Sequence, residues 1–435
     1  SYTFRTQVDY RLLFGENQQH MFMLMGGFEL NGNTSRGISD ENRGFVKDRG
    51  LQFIDNLQNL DDYPEYKKWL NKNHRSLSHG ISHQISGYFV LSYSYRNHFT
   101  LNLNGRFDAS NKFGSRSNER FLPVWSVSGS WNLQENILKN VEFISELRLR
   151  GSFGIQGNML EDQSPNLIIK QGALDPIYNE NVSSIARYPN PNLRWEETQQ
   201  LDGGLEIGFF RSRLSMEFSV YSKKTSNCFT NVQVSSVNGV AGHTYVMNGG
   251  DLNNNGYSIS LSATPVKTKD FQWKFSTYYS GNFNKVQTKS VENYTLNDYL
   301  NGTALIDGVA IGSFYSYKYL GLNPSNGTPL FDDYNDRKHL LEYKTLEETV
   351  LMTMEKSGQR EPIFSGNFSN NFTYKNFSLS MNMAYSIGSK VRLFQLYSPV
   401  VSGISSETNV RKEFLSRWMA PGDEKYTDIP VIMSQ

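Results

Sequence analysis

The chain has 435 residues, 14% of them aromatic, yet its mean hydropathy is −0.53 and its formal charge only +1, from 43 basic and 42 acidic residues. That balance argues against an electrostatic nucleic-acid binder, and the single Cys228 excludes an intramolecular disulfide framework or a multi-cysteine metal site. No run of about 18 apolar residues offers a membrane helix, so the length fits either several soluble domains or one large barrel.

The first predicted elements form a hairpin. Tyr2, Phe4, Thr6, Val8, Tyr10 and Leu12 alternate with Arg5, Gln7, Asp9 and Arg11. A polar turn from Gly15 to Gln18 follows, and Phe22, Leu24, Gly26, Phe28 and Leu30 run back. One apolar and one polar face at a period of two residues mark half-buried strands. The pattern recurs in 81–95 with 99–107, turning at Arg96-Asn97, and in 125–133 with 147–155 after a medium connection. It recurs again in 201–209 with 214–220 around Phe210 to Arg213, in 257–263 with 271–283 through Pro265 to Asp270, and in 364–374 with 377–387 around Lys375-Asn376.

This makes about twelve strands in six pairs. Between pairs the connections are long: 31–79, 108–121, 156–197, 223–255 and 285–362. Soluble domains rarely carry several such connections, whereas outer-membrane barrels combine long external loops with short periplasmic turns. The predicted fold is therefore all-β, an antiparallel up-and-down transmembrane β-barrel, with the turns at Gly15, Asn97, Arg211, Lys267 and Asn376 facing the periplasm. Two loop stretches carry helical signals. Asp62 is placed to cap a helix with Pro64 in its first turn and Tyr66, Trp69 and Leu70 on one side, and Leu346, Val350 and Met354 recur every fourth residue within 340–356. A lipid-facing sheet cannot leave open edges, so the twelve strands must close on themselves or be joined by strands outside this sequence. The strand pattern at Ser1 and the loop at Gln435 read as an internal piece of a longer chain.

Several ordered motifs carry a family likeness. They are Arg106-Phe107-Asp108-Ala109-Ser110-Asn111-Lys112-Phe113-Gly114, then Phe121-Leu122-Pro123 with the Trp125–Trp131 strand, and Ile144 to Gly154 ending at Gly157-Asn158. Further on come Asn190-Pro191-Asn192-Leu193-Arg194-Trp195-Glu196-Glu197-Thr198, Ala263 to Lys267 with the Phe271–Trp273 strand, and Gly321 to Pro324 with Gly327 to Pro329. The Tyr374 to Leu379 hairpin and Arg417-Trp418 with Pro421-Gly422-Asp423 complete the series. In this order the chain resembles the SusC/RagA-type TonB-dependent outer-membrane transporters of Bacteroidetes.

The resemblance implies a cell outer-membrane, multi-pass barrel of about 22 strands, of which about twelve lie here. Residues 1–435 then read as a partial barrel. The family's N-terminal domain, TonB box, plug and last strands have no counterpart in this sequence. It further implies import of a large nutrient, a glycan or a peptide, with a SusD-like surface lipoprotein as lid and the TonB complex as power source. The partners so implied are that lipoprotein, the TonB complex, the ligand and outer-membrane lipid, with no nucleic acid.

No catalytic constellation, cofactor motif or metal site is predicted, and the chain is expected not to be an enzyme. Asp251, Asn253, Asn255 and Gly256 imitate half of a calcium loop, but Ser262 stands where the bidentate Glu belongs. Asp332, Asp333 and Asp336 form a weak acidic cluster. His79 and His83 on a strand would lie ~13 Å apart, too far for one ion. Cys228 is expected in a loop.

The candidate ligand-binding residues are loop aromatics, whose flat faces and polar tips suit sugars and peptides. They are Tyr63, Tyr66, Trp69, Tyr178, Tyr188, Tyr294, Tyr299, Tyr315, Tyr317 and Tyr319. The competing role for each is folding its own loop or sitting in an interface girdle. Two other readings stand against the importer: a passive outer-membrane porin, and a soluble surface glycan-binding β-protein.

Overall fold

A computed structural model describes residues 1–41, 60–70, 75–96, 98–111, 122–158, 167–175, 177–187, 192–233, 244–287, 294–332, 344–393 and 411–431, with isolated positions at 45–47, 50, 52–53 and 190. Twelve strands form one sheet: β1 (Tyr2–Phe14), β2 (His20–Asp40), β3 (Arg75–Tyr95), β4 (Phe99–Ser110), β5 (Leu122–Asn132) and β6 (Ile144–Asn158) make its first half. The second half is β7 (Glu196–Phe209), β8 (Leu214–Gln233), β9 (Thr244–Lys267), β10 (Phe271–Gln287), β11 (Phe364–Tyr374) and β12 (Phe377–Ile387). Each strand pairs antiparallel with the next in sequence, so the topology is up-and-down throughout.

The register explains why these residues form one wall. Residues opposite each other in a ladder point to the same face. Tyr10, Leu24, Leu91, Leu103, Val127, Phe153 and Leu201 are opposite one another in series from β1 to β7. Leu149, Leu205, Phe218, Ile259 and Tyr279 do the same from β6 to β10. Side chains of this face stay uncovered by protein: Val8 is 72% exposed, Leu201 57% and Met381 57%. An apolar face this extensive cannot be left to water, and it matches the lipid-facing band of an outer-membrane barrel. No described helix is long and apolar enough to cross a membrane.

In two of the expected loops the wall strands themselves run well past the predicted bounds. β2 runs on to Asp40 and β3 begins at Arg75, inside the predicted 31–79 connection. β8 continues to Gln233 and β9 starts at Thr244, inside 223–255, and Cys228 lies at a bulge within β8 rather than in a loop. Above the lipid both faces of a strand are wet, so the two-residue hydropathy rhythm that announces a strand disappears while the backbone ladder continues.

Candidate functional site

The inner face of the sheet is polar rung by rung. Ser92, Asn102, Ser128, Ser152, Asp202, Tyr221, Gly256 and Asn282 lie opposite one another from β3 to β10. Side-chain hydrogen bonds run along this rung: Ser92 Oγ donates to Asn102 Oδ1 (2.7 Å), Ser152 Oγ to Asp202 Oδ2 (3.1 Å), and Tyr221 OH to Asn282 Oδ1 (3.1 Å). Nearby, Arg5 Nε donates to Tyr88 OH (2.8 Å), and Arg106 bonds both Asp108 and Ser86. Two hollows of about 630 and 480 Å³ open on this face, lined by Tyr88, Asn104, Arg106, Ser128, Ser152 and Asp202 among others.

Closer to the turns, the same face carries an ionic ladder. Arg148 reaches Glu206 (3.4 Å), and Arg150 reaches Glu206 (3.0 Å), Glu217 and Ser219 Oγ (2.9 Å). Gly204 faces Arg150, and a Cβ at Gly204 would strike the Arg150 side chain; the glycine lets the guanidinium lie across β7. Sequence reasoning missed this ladder. Its signal was available: Glu206 and Glu217 lie opposite each other, equidistant from the 210–213 turn.

Above the wall sits a compact loop module with a core of its own. Tyr299, Ala304, Ile306, Tyr315, Val350 and Met354 form that core, with Tyr294 packed against it. Tyr299 meets both Tyr294 and Tyr315 edge-on, with ring centroids 6.1 and 6.3 Å apart. Helix α1 (Leu296–Asn301) starts at Thr295, whose hydroxyl and backbone N–H both donate to Asp298 Oδ2 at 2.7 Å. Helix α2 (Leu346–Thr353) starts at Thr345 in a matching box with Glu348. These bonds hold the carboxyls of Asp298 and Glu348 below the usual carboxylate range. Burial, reinforced by Glu347 and Asp298, pushes the Tyr299 phenol up to about 12.

Arg392 locks the module: its Nε donates to Leu300 O (2.8 Å) and its Nη2 to Tyr315 O (3.0 Å) and Ser316 Oγ (3.2 Å). Backbone bonds stitch the module to the wall: Val286 N to Val309 O (2.9 Å), Gly308 N to Val286 O (2.8 Å) and Asn282 N to Ile363 O (3.0 Å). A last segment packs on the 319–331 hairpin, with Phe414 and Trp418 buried. Gly327, at φ +66°, lies so close to the Trp418 ring that any side chain there would collide with it. In that segment Asp423 Oδ2 accepts from Met419 N (3.0 Å) and Ala420 N (2.9 Å), and Glu424 Oε2 from Gly422 N (2.7 Å). These bonds lower the Asp423 carboxyl, and the Glu424 carboxyl is lowered first by its own backbone N–H and then by that of Gly422.

The predicted aromatics separate into groups. Tyr299 and Tyr315 are buried, 1% and 5% exposed, so they offer no face to a ligand; their rings are needed to fill the module's core. Tyr294 is half-buried against the same core. Tyr317 and Tyr319 stay exposed, flanking Phe331 at 6.3 and 6.0 Å. Tyr66 stacks on Trp69 at 5.4 Å on the short helix Pro64–Leu70, where Trp69 Nε1 donates to Glu41 (3.1 Å), and Tyr63 is exposed just before it. Tyr178 is exposed beside a small hairpin of Ile168–Leu174 and Asn181–Arg187, and Tyr188 lies outside the described residues.

The remaining candidates lie elsewhere. Asp251, Asn253 and Asn255 belong to β9 rather than to a loop, and of the acidic trio Asp333 and Asp336 lie outside the described residues. His83 contacts Tyr2 OH at 3.4 Å on the outer face. The motif at 190–198 acts as a clamp: Asn248 accepts from Arg194 N (2.8 Å) and donates to Arg194 O (3.0 Å), while Asn190 donates to Val246 O (2.7 Å).

A polar-lined, lipid-belted, up-and-down wall has known counterparts. Residues 1–336 match the family model described as TonB dependent receptor-like, beta-barrel. The chain belongs to the TonB-dependent receptor β-barrel family. This barrel is an outer-membrane structure. It is 29% identical over 323 residues to TonB-dependent receptor P26 of Formosa agariphila, covering 72% of this chain and 31% of that protein. To TonB-dependent receptor SusC of Bacteroides thetaiotaomicron it is 27% identical over 336 residues, covering 71% of this chain and 31% of that one. In fold it matches the solved RagAB peptide transporter with a TM-score of 0.79 at 22% identity, covering all of this chain and 46% of that chain. The TonB-dependent receptor barrel described here thus spans about a third of its curated relatives' length.

Proposed function

We propose that these strands are part of the wall and mouth of an outer-membrane importer that takes up a large polar nutrient, a glycan or a peptide. In this reading the residues form one continuous portion of a larger barrel, joined at β1 and β12 by further strands. A SusD-like lipoprotein covers the mouth, and the TonB complex supplies the work through a plug. The wall performs no chemistry; it gives the cargo a path.

The continuous polar inner rung from Ser92 to Asn282 carries the reading. Short hydroxyl and amide side chains exchange hydrogen bonds with a hydrated cargo at little net cost, whereas an apolar lumen would strip its water. The relatives named as TonB-dependent receptors support the coupling to TonB, and the RagAB structure matched in fold is named a peptide transporter.

Cells carrying the whole protein are expected to accumulate a labelled oligosaccharide or oligopeptide only while the TonB complex is energised. Accumulation that persists after the complex is removed would make the protein a passive porin and overturn the reading.

A further inference from the structure

The outer face of the wall ends in an ordered basic row. On β10 the outward residues from Trp273 to Phe283 cover about 25 Å of height at ~3.3 Å per residue and ~40° of tilt, the thickness of an outer-membrane apolar band. Trp273 stacks on Phe372 at the turn side (5.8 Å). Tyr257, Tyr279, Phe283 and Phe364 form a girdle at the loop side, with centroid separations of 5.9 Å for Tyr257–Tyr279, 5.8 Å for Tyr279–Phe364 and 6.0 Å for Phe283–Phe364.

The next outward row is Lys224, Asn253 and Lys285, aligned residue for residue on β8, β9 and β10. Strands ~4.8 Å apart put the two lysine Cα atoms about 10 Å from each other, close enough for both ammonium groups to reach one anion. From this row down to the turn-side girdle, the outward positions of β8, β10, β11 and β12 carry no charge. Lys224 and Lys285 are exposed, and neither has an ion-pair partner among the described residues.

Between them, Asn253 Oδ1 is buried without a hydrogen-bond partner. At the tip of β10 a hollow of about 380 Å³ is lined by Asn253, Asn255 and Lys285 together with the inward Asn282 and Asn284 and Lys356 of the loop module, so it straddles the strand end rather than lying on the outer face alone. The acids one row higher are engaged: Glu197 accepts from Gln199 Nε2 (3.0 Å) and Asp251 from Asn227 N (3.3 Å).

We propose that Lys224, Asn253 and Lys285 form a docking site for the headgroup of an outer-leaflet lipid that bears a phosphate and free hydroxyls. The lysines take the phosphate, the orphaned Asn253 oxygen accepts from a hydroxyl, and the acyl chains lie over Tyr257, Phe283 and the apolar wall beneath. Height decides the occupant. The row begins where the apolar band stops, which is where headgroups sit, and cations there are drawn to anionic lipid. The site concerns the lipid around the barrel and is independent of what the barrel carries.

The test uses the full-length protein in nanodiscs containing phosphatidylglycerol, with retained lipid counted by native mass spectrometry. The wild type is expected to keep one phosphatidylglycerol after the others are stripped. The Lys224→Gln/Lys285→Gln variant should lose that adduct by roughly tenfold to thirtyfold. Lys269→Gln, in the β9–β10 turn at the opposite end, should keep it, and diacylglycerol, which lacks phosphate, should give no retained adduct in any form. Equal retention in the double variant, equal loss in Lys269→Gln, or equal retention of diacylglycerol would overturn the proposal. Displacement by millimolar inorganic phosphate would assign the site to a soluble anion and overturn the lipid assignment. Unchanged heat-modifiability of the double variant shows that any loss is not misfolding.

Discussion

The wall and the loop module bury opposite things. In the wall, apolar side chains such as Leu103 and Phe218 point away from the protein, and the rungs of Ser, Asn and Asp point inward. In the module, Tyr299 and Val350 are the most enclosed side chains and the capped carboxyls lie outside. The wall is held by backbone ladders and its lipid surround, while the module is held by a small core as any soluble domain is. One residue type therefore means different things in the two regions. Tyr279 belongs to a lipid girdle, Tyr221 to a polar rung, and Tyr299 to a core.

The sharpest way to test this contrast is to empty the module. Tyr299→Ala is expected to cost the module about 3–5 kcal/mol, as large aromatic deletions from cores do. Limited proteolysis should then cut between residues 294 and 363, while heat-modifiability of the barrel stays as in the wild type. A barrel that loosens in step would show that the two regions fold as one unit.

Next in size is a pair of adjacent substitutions in the wall. Leu103→Lys puts a charge on the lipid face and should cost about 2–4 kcal/mol, whereas Asn104→Lys, on the inner face, should cost close to nothing. Urea unfolding of the barrel in bilayers reads both. Equal costs would mean that the assignment of faces is wrong.

The smallest effect is that of acid. Asp298, Glu348, Asp423 and Glu424 all have carboxyls lowered by hydrogen bonds to their own turns or caps. Unfolded, they bind protons more readily than folded, so their contribution is complete above the ordinary carboxylate range and is lost as pH falls below about 4. Protease sensitivity of the module should rise over that window, with the barrel unaffected. A barrel that opens at the same pH would remove the distinction.

The sequence announced whichever parts obey a two-residue rhythm. The outward run Trp273, Phe275, Thr277, Tyr279, Gly281 and Phe283 was legible because lipid on one face and water on the other impose alternation. Beyond Lys224 and Lys285 that contrast ends, so the upper lengths of β2, β8 and β9 read as loops although they are strands. The helix at Leu346–Thr353 was legible from the four-residue spacing of Leu346 and Val350; the spacing ran one residue too far, since Met354 already begins an extended segment. The candidate aromatics were hardest. Nothing local distinguishes the exposed Tyr317 from the buried Tyr315 two residues before it; only the chain folding back through Val350 and Met354 decides.

The stitches between Val286 and residues 308–309 have a mechanical consequence. They extend the ladder of β10 into the module, so the module is anchored at the strand tip and cannot swing as a free flap. In the proposed importer, a motion that admits cargo must either bend the tip of β10 with it or be carried by other segments. The mouth over β10 then behaves as a fixed lintel, and the opening is set by whatever moves past it.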